Sequence, residues 1–195
     1  NADVGQVEGL SLGLSNAIGT RNSRDYSPAK PAGRIRISSF GDSFTHGSHI
    51  PNKCTWQEIL ENNDPRLEVL NYGVPGYGLD QAYLRYLKEG VGMKPDIVLI
   101  CYMSENLARH LSVYRGFYNQ NPMEIEFKPR YVLEGDGLRL IPCPVSSRKD
   151  YSKILDPRFF MEVAKNDYWS GASLENQRGY KPALISFFER AAGLF

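Results

Sequence analysis

The strongest constraint on the fold is an alternation of apolar strand-like runs with segments of helical spacing over residues 34–101. In chain order, the five segments are residues 34–40, 55–62, 67–70, 80–90 and 95–101. The order strand, helix, strand, helix, strand is typical of an open parallel sheet with helices on both faces. The sequence therefore predicts an α/β fold in which three layers, α/β/α, surround a parallel sheet.

Local signals define the ends of these segments. Thr55 is placed to cap the first helix, and Glu58 follows it at the spacing of a capping box. Asp80 is expected to cap the second helix. Residues 95–101 are apolar without alternation, which is typical of a strand covered on both faces. We therefore expect this third strand to be the most deeply buried of the sheet.

Composition excludes several classes of protein. The chain has 195 residues, a size that fits one domain, and 42% of them are hydrophobic, enough for one packed core. Its formal net charge of +1 offers little attraction for nucleic acid or anionic membranes, so neither is predicted as a partner. No apolar run is long enough to cross a bilayer. Cys54, Cys101 and Cys143 form no CxxC pair and have no nearby histidine at zinc-ligand spacing, so we predict no metal site or disulfide framework. No cofactor is predicted either.

The regularity of the pattern changes along the chain. Residues 1–33 are rich in Gly, Ser, Asn and Pro and are predicted to be an N-terminal arm outside the core. Residues 34–195 are predicted to form one domain. Its parts are a core at residues 34–110, an insertion or lid at 111–150 and a C-terminal helical part at 151–195. The insertion contains a predicted hairpin of residues 130–133 and 138–141, and residues 180–194 have the spacing of an amphipathic helix.

Polar and glycine-rich loops follow the three predicted strands. Because parallel strands end at the same edge of a sheet, the loops after Phe40, Leu70 and Cys101 are expected to carry the functional residues. A serine after the first strand can act as a nucleophile, and glycine N–H groups or an asparagine amide can stabilise an oxyanion. This arrangement is typical of acyl transfer. Thr45 stands where a G-x-S-x-G elbow has its second glycine, which argues against that motif.

Three blocks in these loops, GDSFTHG from Gly41, LNYGVPGYG from Leu70 and an asparagine after the third strand, resemble those of the SGNH, or GDSL-type, hydrolases. The resemblance covers residues 34–110. It implies a flavodoxin-like sheet and a serine esterase that forms an acyl-enzyme. It also implies that Ser43 is the nucleophile and contributes its own N–H as an oxyanion donor.

The other two oxyanion donors implied by the resemblance are the Gly76 N–H and the Asn106 side-chain amide. The second block contains further glycines, so Gly73 and Gly78 stay open as alternatives to Gly76. The third block reads Glu105-Asn106 where the family has an Asn-Asp pair, and a shift of one residue places Asn106 in the donor role.

The base of the family, a histidine in a DxxH motif near the C-terminus, has no counterpart here, because no histidine follows His110. Only three core strands are visible where the family has about five, so we expect the last strands and the DxxH to be missing from this chain. His46 and His49 are interpreted as polar loop residues, since a base must approach the hydroxyl from across the crevice. His110 is expected to be a surface or insertion-facing residue.

The leading hypothesis is a serine esterase that acts on a small acyl ester, with carbohydrate deacetylation as the preferred reaction. This substrate class rests on family analogy. The first alternative is an acyl- or carbohydrate-binding module that keeps the oxyanion pocket without the base. The second is an O-acyltransferase in which a sugar hydroxyl replaces water. Compartment and oligomeric state have no signature in the sequence.

Overall fold

The structure is a computed structural model that describes residues 15–119 and 126–171. The chain divides into two compact units, Asn1–Tyr102 and Met103–Phe195. The predicted helix at residues 180–194 lies outside the described residues.

The first unit contains the predicted parallel sheet. Its strands are β1 (Ile35–Phe40), β2 (Leu67–Asn71) and β3 (Ile97–Ile100), in the spatial order β2-β1-β3. Both pairings are parallel, with Ile37 opposite Val69 on one side and opposite Ile97 on the other. The α/β prediction is therefore confirmed at the level of a parallel sheet with intervening helices.

The described part of this unit contains three α-helices: α1 (Ser43–His46), α2 (Trp56–Asn63) and α3 (Leu79–Arg85). Helix α2 begins as predicted, because the Thr55 side chain accepts a hydrogen bond from the Glu58 N–H. The predicted cap of α3 is wrong. Gly78 is the N-cap, its N–H donates to the Gln81 side chain at 3.1 Å, and Asp80 is the second residue of the helix. The helical path continues through the turns Tyr86–Gly90 and Val91–Met93.

The core of the first unit forms between the sheet and α3. Phe40, at the end of β1, stacks on Tyr72 with 4.6 Å between ring centroids. Leu70, Ala82 and Met93 belong to the same buried cluster. The burial of these side chains accounts for the apolar periodicity of the strands and helix in the sequence.

Part of the predicted arm also belongs to this core, contrary to expectation. Tyr26 is buried within the cluster. Asn22 donates to the Val69 carbonyl and accepts from the Asn71 N–H, both at 2.9 Å, while the Arg21 N–H donates to the Asn71 carbonyl at 2.8 Å. These bonds satisfy outward-facing backbone groups of β2, so this part of the chain covers a sheet edge.

The prediction that the third strand is the most deeply buried is wrong. The strand order places β1 in the centre and makes β3 an edge of the described sheet. Ile97 and Ile100 are 43% and 40% exposed, whereas Phe40 and Leu70 are fully buried. An unbroken apolar run shows that a strand is hydrophobic, but it does not specify which strand occupies the middle of the sheet.

The second unit contains the predicted hairpin, with β4 (Arg130–Glu134) and β5 (Gly137–Ile141) paired antiparallel. It also contains α4 (Leu107–His110) and α5 (Pro157–Ala164). Single-turn or irregular 3₁₀ segments occupy Ser104–Asn106, Arg115–Phe117, Arg148–Leu155 and Tyr168–Ser170. Val113, Ile141 and Val163 form its buried cluster. None of the helices in the described part of the chain has the length and hydropathy needed to span a membrane.

Candidate functional site

Ser43 is the first residue of α1 and follows β1 after only two residues. Buried Asp42 fixes this turn, because its side chain accepts from the Phe44 N–H and its carbonyl accepts from the His46 N–H, each at 2.9 Å. Gly47 closes the turn in the left-handed conformation, with φ of 72°, and its N–H donates to the Ser43 carbonyl at 2.8 Å. Ser43 is half-buried, and the neighbouring Phe44 side chain is 71% exposed.

The second block packs closely against this turn. A Cβ atom on Gly73 would lie 2.7 Å from His46 Cα and closer still to the backbone nitrogen of His46. A Cβ atom on Gly41 would lie 3.0 Å from Thr45 Cβ and closer still to Thr45 Oγ1. The Val74 N–H donates to the Gly41 carbonyl at 2.9 Å. A larger residue at position 73 would therefore force the backbone to shift, and one at position 41 would displace the Thr45 side chain.

Gly76 occupies the third position of a turn that follows β2. The Tyr77 N–H donates to the Val74 carbonyl at 3.2 Å, and Gly76 has φ of 83° after Pro75. Proline at the second position and a positive φ at the third are the requirements of a type II turn. The hydrogen bond that closes the turn uses the N–H of Tyr77 and not that of Gly76.

The two alternative glycines use their N–H groups within their own loops. The Gly73 N–H donates to Asn71 Oδ1 at 3.0 Å, and the Gly78 N–H donates to Gln81 Oε1 at 3.1 Å. A donor already engaged in a good hydrogen bond must lose that bond before it can bind an oxyanion. This difference favours Gly76 over the other two glycines for the donor role.

Buried side chains that we did not single out from the sequence contact the carbonyl groups at the end of α1. Fully buried Gln57 donates to the Thr45 carbonyl at 2.9 Å and to Ser39 Oγ at 3.1 Å. Asn71 Nδ2 donates to the His46 carbonyl at 3.3 Å. No pattern in the sequence indicates this contact, because Gln57 is the buried residue of α2 while the apolar Ile59 and Leu60 of the same helix are 47% and 41% exposed.

The two histidines that follow Ser43 in sequence differ in their surroundings. His46 Nδ1 lies 3.1 Å from Ser48 Oγ. Burial, with further contributions from the positive charges of Arg21 and Arg85, lowers the pKa of His46 to about 4. His49 is exposed. Within residues 15–119 and 126–171, no hydrogen bond joins the Ser43 hydroxyl to a histidine.

Asn106 and His110 lie in the second unit. Asn106 ends the turn Ser104–Asn106 and is buried, and its N–H donates to the Met103 carbonyl at 3.0 Å. His110 is buried, so the expected surface position is wrong, and its backbone carbonyl accepts from Arg130 Nε of the hairpin at 3.0 Å. Burial, together with the charges of Lys128 and Arg109, lowers the pKa of His110 to about 4. The donor role of Asn106 and the lid role of residues 111–150 stay predictions.

No protein-family model matches the chain, and a search of curated proteins finds no match. Among the described residues, no group of three or more His, Cys, Asp or Glu side chains is arranged to hold a metal ion.

Proposed function

We propose that this protein is a serine hydrolase of SGNH type that cleaves a small acyl ester through an acyl-enzyme. The observation that carries the proposal is the position of Ser43. It opens a tight turn at the carboxyl end of the central strand, with the glycine-rich second block packed against the same turn. Functional groups of open parallel sheets lie at this edge. The finer architecture that we propose is the flavodoxin-like, three-layer sheet of that family.

In the proposed reaction, Ser43 Oγ attacks the carbonyl carbon of the ester, and its proton passes to a base. The negative charge that develops on the carbonyl oxygen is stabilised by the N–H groups of Ser43 and Gly76. Collapse of the tetrahedral intermediate breaks the bond to the alcohol, which leaves with a proton. Water then attacks the acyl-enzyme and releases the acid, restoring the Ser43 hydroxyl.

The preferred substrate is an acetylated carbohydrate. Phe44 supports this choice, because an exposed aromatic side chain directly after the nucleophile offers a flat apolar surface to a sugar ring. Replacing Phe44 with Ala is expected to slow reaction with glucose pentaacetate more than reaction with 4-nitrophenyl acetate. Equal effects on both esters would contradict the carbohydrate preference while leaving the esterase proposal intact.

The proposal is tested by identifying the residue that is acylated. The chain is incubated with excess 4-nitrophenyl acetate, and peptides are analysed by mass spectrometry. We expect one acetyl group on Ser43, absent from the Ser43→Ala variant. Ser48→Ala is the matched control, since Ser48 lies in the same loop and donates through its N–H to the Ser43 carbonyl. Acetylation confined to lysines, or equal in Ser43→Ala, would contradict the proposal and favour a non-catalytic binding module.

A further inference from the structure

We propose that Arg21 is a positioning residue that fixes the turn carrying Ser43. This inference rests on the proposed function for its consequence in catalysis, but the contacts that support it are independent of any reaction. They join a segment that precedes the sheet to the loop that follows its central strand. Arg21 itself does not contact substrate in this proposal, because it acts through the backbone of the loop.

The Arg21 side chain is buried, with the residue 1% exposed, and its guanidinium is surrounded by oxygen acceptors. Nη1 donates to the carbonyls of His46 and Gly47, and Nη2 donates to the carbonyl of Ile50. Nε donates to Asn52 Oδ1 at 3.1 Å. One side chain thus donates to three backbone carbonyls, one at the end of α1 and two in the loop that follows it.

These carbonyls belong to the same turn as the nucleophile. The N–H groups of Gly47 and Ser48 both donate to the Ser43 carbonyl, at 2.8 and 3.2 Å. The last carbonyls of a helical turn have no partner within the turn and must be satisfied from outside. Arg21 donates to those of His46 and Gly47, which also accept from Asn71 Nδ2 at 3.3 Å and from the Ile50 N–H at 3.2 Å. Because Arg21 is the donor that these two carbonyls share, its removal is expected to loosen the hydrogen bonds that end on Ser43.

Arg21 is itself fixed to the sheet. Its N–H donates to the Asn71 carbonyl, and the side chain of the next residue, Asn22, bonds to the Val69 carbonyl and the Asn71 N–H of the same strand. The second block begins at the end of the same strand. Arg21 therefore connects the strand that precedes the Gly76 loop with the turn that carries Ser43. This connection is expected to fix the distance between the two loops.

The chemistry of the contact requires a guanidinium. A buried cation is costly, and neutral carbonyls compensate its charge less well than a carboxylate would. A planar group with several N–H donors in fixed directions can reach separate carbonyls at once, whereas the compact ammonium of lysine cannot. We therefore expect lysine to be a poor substitute at position 21 even though it preserves the charge.

The first test measures amide hydrogen exchange by NMR in Arg21→Lys and Arg21→Met. We expect exchange at Gly47 and Ser48 to accelerate by at least about tenfold relative to Val69 and Leu70 in the same variant, as for a local opening. Arg24→Met is the matched control, because it removes a partly exposed cation from the same segment. It is expected to leave that ratio unchanged. Uniform acceleration of all four amides, or an unchanged ratio in both Arg21 variants, would overturn the proposal.

The second test measures the rate of Ser43 acetylation at several concentrations of 4-nitrophenyl acetate. We expect the maximal rate to fall at least about tenfold in Arg21→Lys, with little change in the half-saturating concentration, because orientation and not binding is impaired. Millimolar guanidinium is expected to restore part of the rate that Arg21→Ala loses. It is expected to leave the rate of Arg24→Ala unchanged. An unchanged maximal rate in Arg21→Lys would overturn the role toward Ser43.

The two proposals fail in different ways. If Ser43→Ala is acetylated as fast as the unaltered chain, the proposed hydrolase function fails. The exchange rates of Gly47 and Ser48 then still decide whether Arg21 fixes this turn.

Discussion

Arg36 donates two hydrogen bonds to a single carboxylate oxygen of Glu68, from Nε at 2.8 Å and from Nη2 at 2.6 Å. The two residues are opposite one another on β1 and β2, and both are buried. Nη2 also donates to the Ser27 carbonyl at 2.8 Å, and Nη1 donates to the carbonyls of Met93 and Pro28, at 2.5 and 3.4 Å. One buried ion pair thus connects neighbouring strands with the segments on either side of them.

The first prediction concerns this ion pair. Glu68→Gln leaves the Arg36 charge buried without its carboxylate, so we expect the free energy of unfolding to fall by about 3–5 kcal/mol. Urea denaturation gives the value. Asp64→Asn is the control, because it removes the carboxylate charge that pairs with exposed Arg66 and keeps the shape of the side chain. We expect it to cause no measurable loss of stability. A loss as small for Glu68→Gln as for the control would show that the buried pair contributes nothing to stability.

The second prediction concerns the close approach at Gly73. In Gly73→Ala the new Cβ would lie 2.7 Å from His46 Cα and closer still to His46 N, so the backbone must shift. We expect a loss of about 1–3 kcal/mol of unfolding free energy, as for other overpacked sites, together with slower acetylation of Ser43. Gly92→Ala is the control, since a Cβ atom at that position would meet nothing within 4 Å. Equal stability of the two variants would contradict the packing argument.

The third prediction concerns His110 and pH. Its pKa falls from 6.5 to about 4 because of burial, so the unfolded chain binds a proton more readily than the folded chain between these values. The contribution of neutral His110 to the free energy of unfolding is therefore fully present above pH 6.5. It is lost as the pH falls to about 4, by at most about 3 kcal/mol. His110→Gln is expected to flatten the dependence of stability on pH in this window.

Trp169 reports on this part of the chain, because its Nε1 donates to the Ala108 carbonyl at 2.9 Å in the same unit as His110. The other tryptophan, Trp56, is replaced with Phe so that Trp169 fluorescence alone follows unfolding at each pH. His49→Gln, at an exposed position, is the matched control and is expected to leave the slope unchanged. A slope that His110→Gln does not alter would contradict the assignment of this titration to His110.

The sequence was sufficient for the elements around the proposed nucleophile, because their signals are local. The spacing of apolar residues identified β1 and β2, and the capping residue Thr55 identified the start of α2. The burial of β3 was not predictable in this way. Its apolar run is compatible with a central or an edge position, and only the pairing of β1 with both neighbours decides between them.

The contacts of Arg21 and Gln57 were also beyond the reach of sequence patterns. Arg21 bonds to carbonyls about 25 residues further along the chain, and any residue type supplies a backbone carbonyl. Hydrogen bonds to such partners therefore cannot be predicted from residue spacing or composition. The arm looked irregular for the same reason, since its order comes from bonds to the edge of β2 and not from bonds within itself.

The last prediction concerns turnover by the chain of 195 residues. We expect hydrolysis of 4-nitrophenyl acetate to stay far below the rates of about 1–10³ s⁻¹ that are usual for enzymes. A serine hydroxyl needs an adjacent base, and the nearest histidine in sequence, His46, has a pKa of about 4 and contacts Ser48 Oγ. Oxyanion donors alone leave a trace of catalysis, about 10³–10⁴ over water in triad enzymes stripped of their nucleophile and base.

The dependence of this trace on added base gives the decisive measurement. Imidazole at increasing concentration is expected to accelerate acetylation of Ser43, because it acts as a general base in solution. Ser43→Ala gives the background reaction of imidazole with the ester, and only the difference between the two chains is counted. If the chain instead turns over rapidly without imidazole and Ser43→Ala abolishes the activity, a base lies within these residues. Single replacement of His46, His49 and His110 with Asn would then identify it, since the loss of the true base is expected to cost several orders of magnitude in rate.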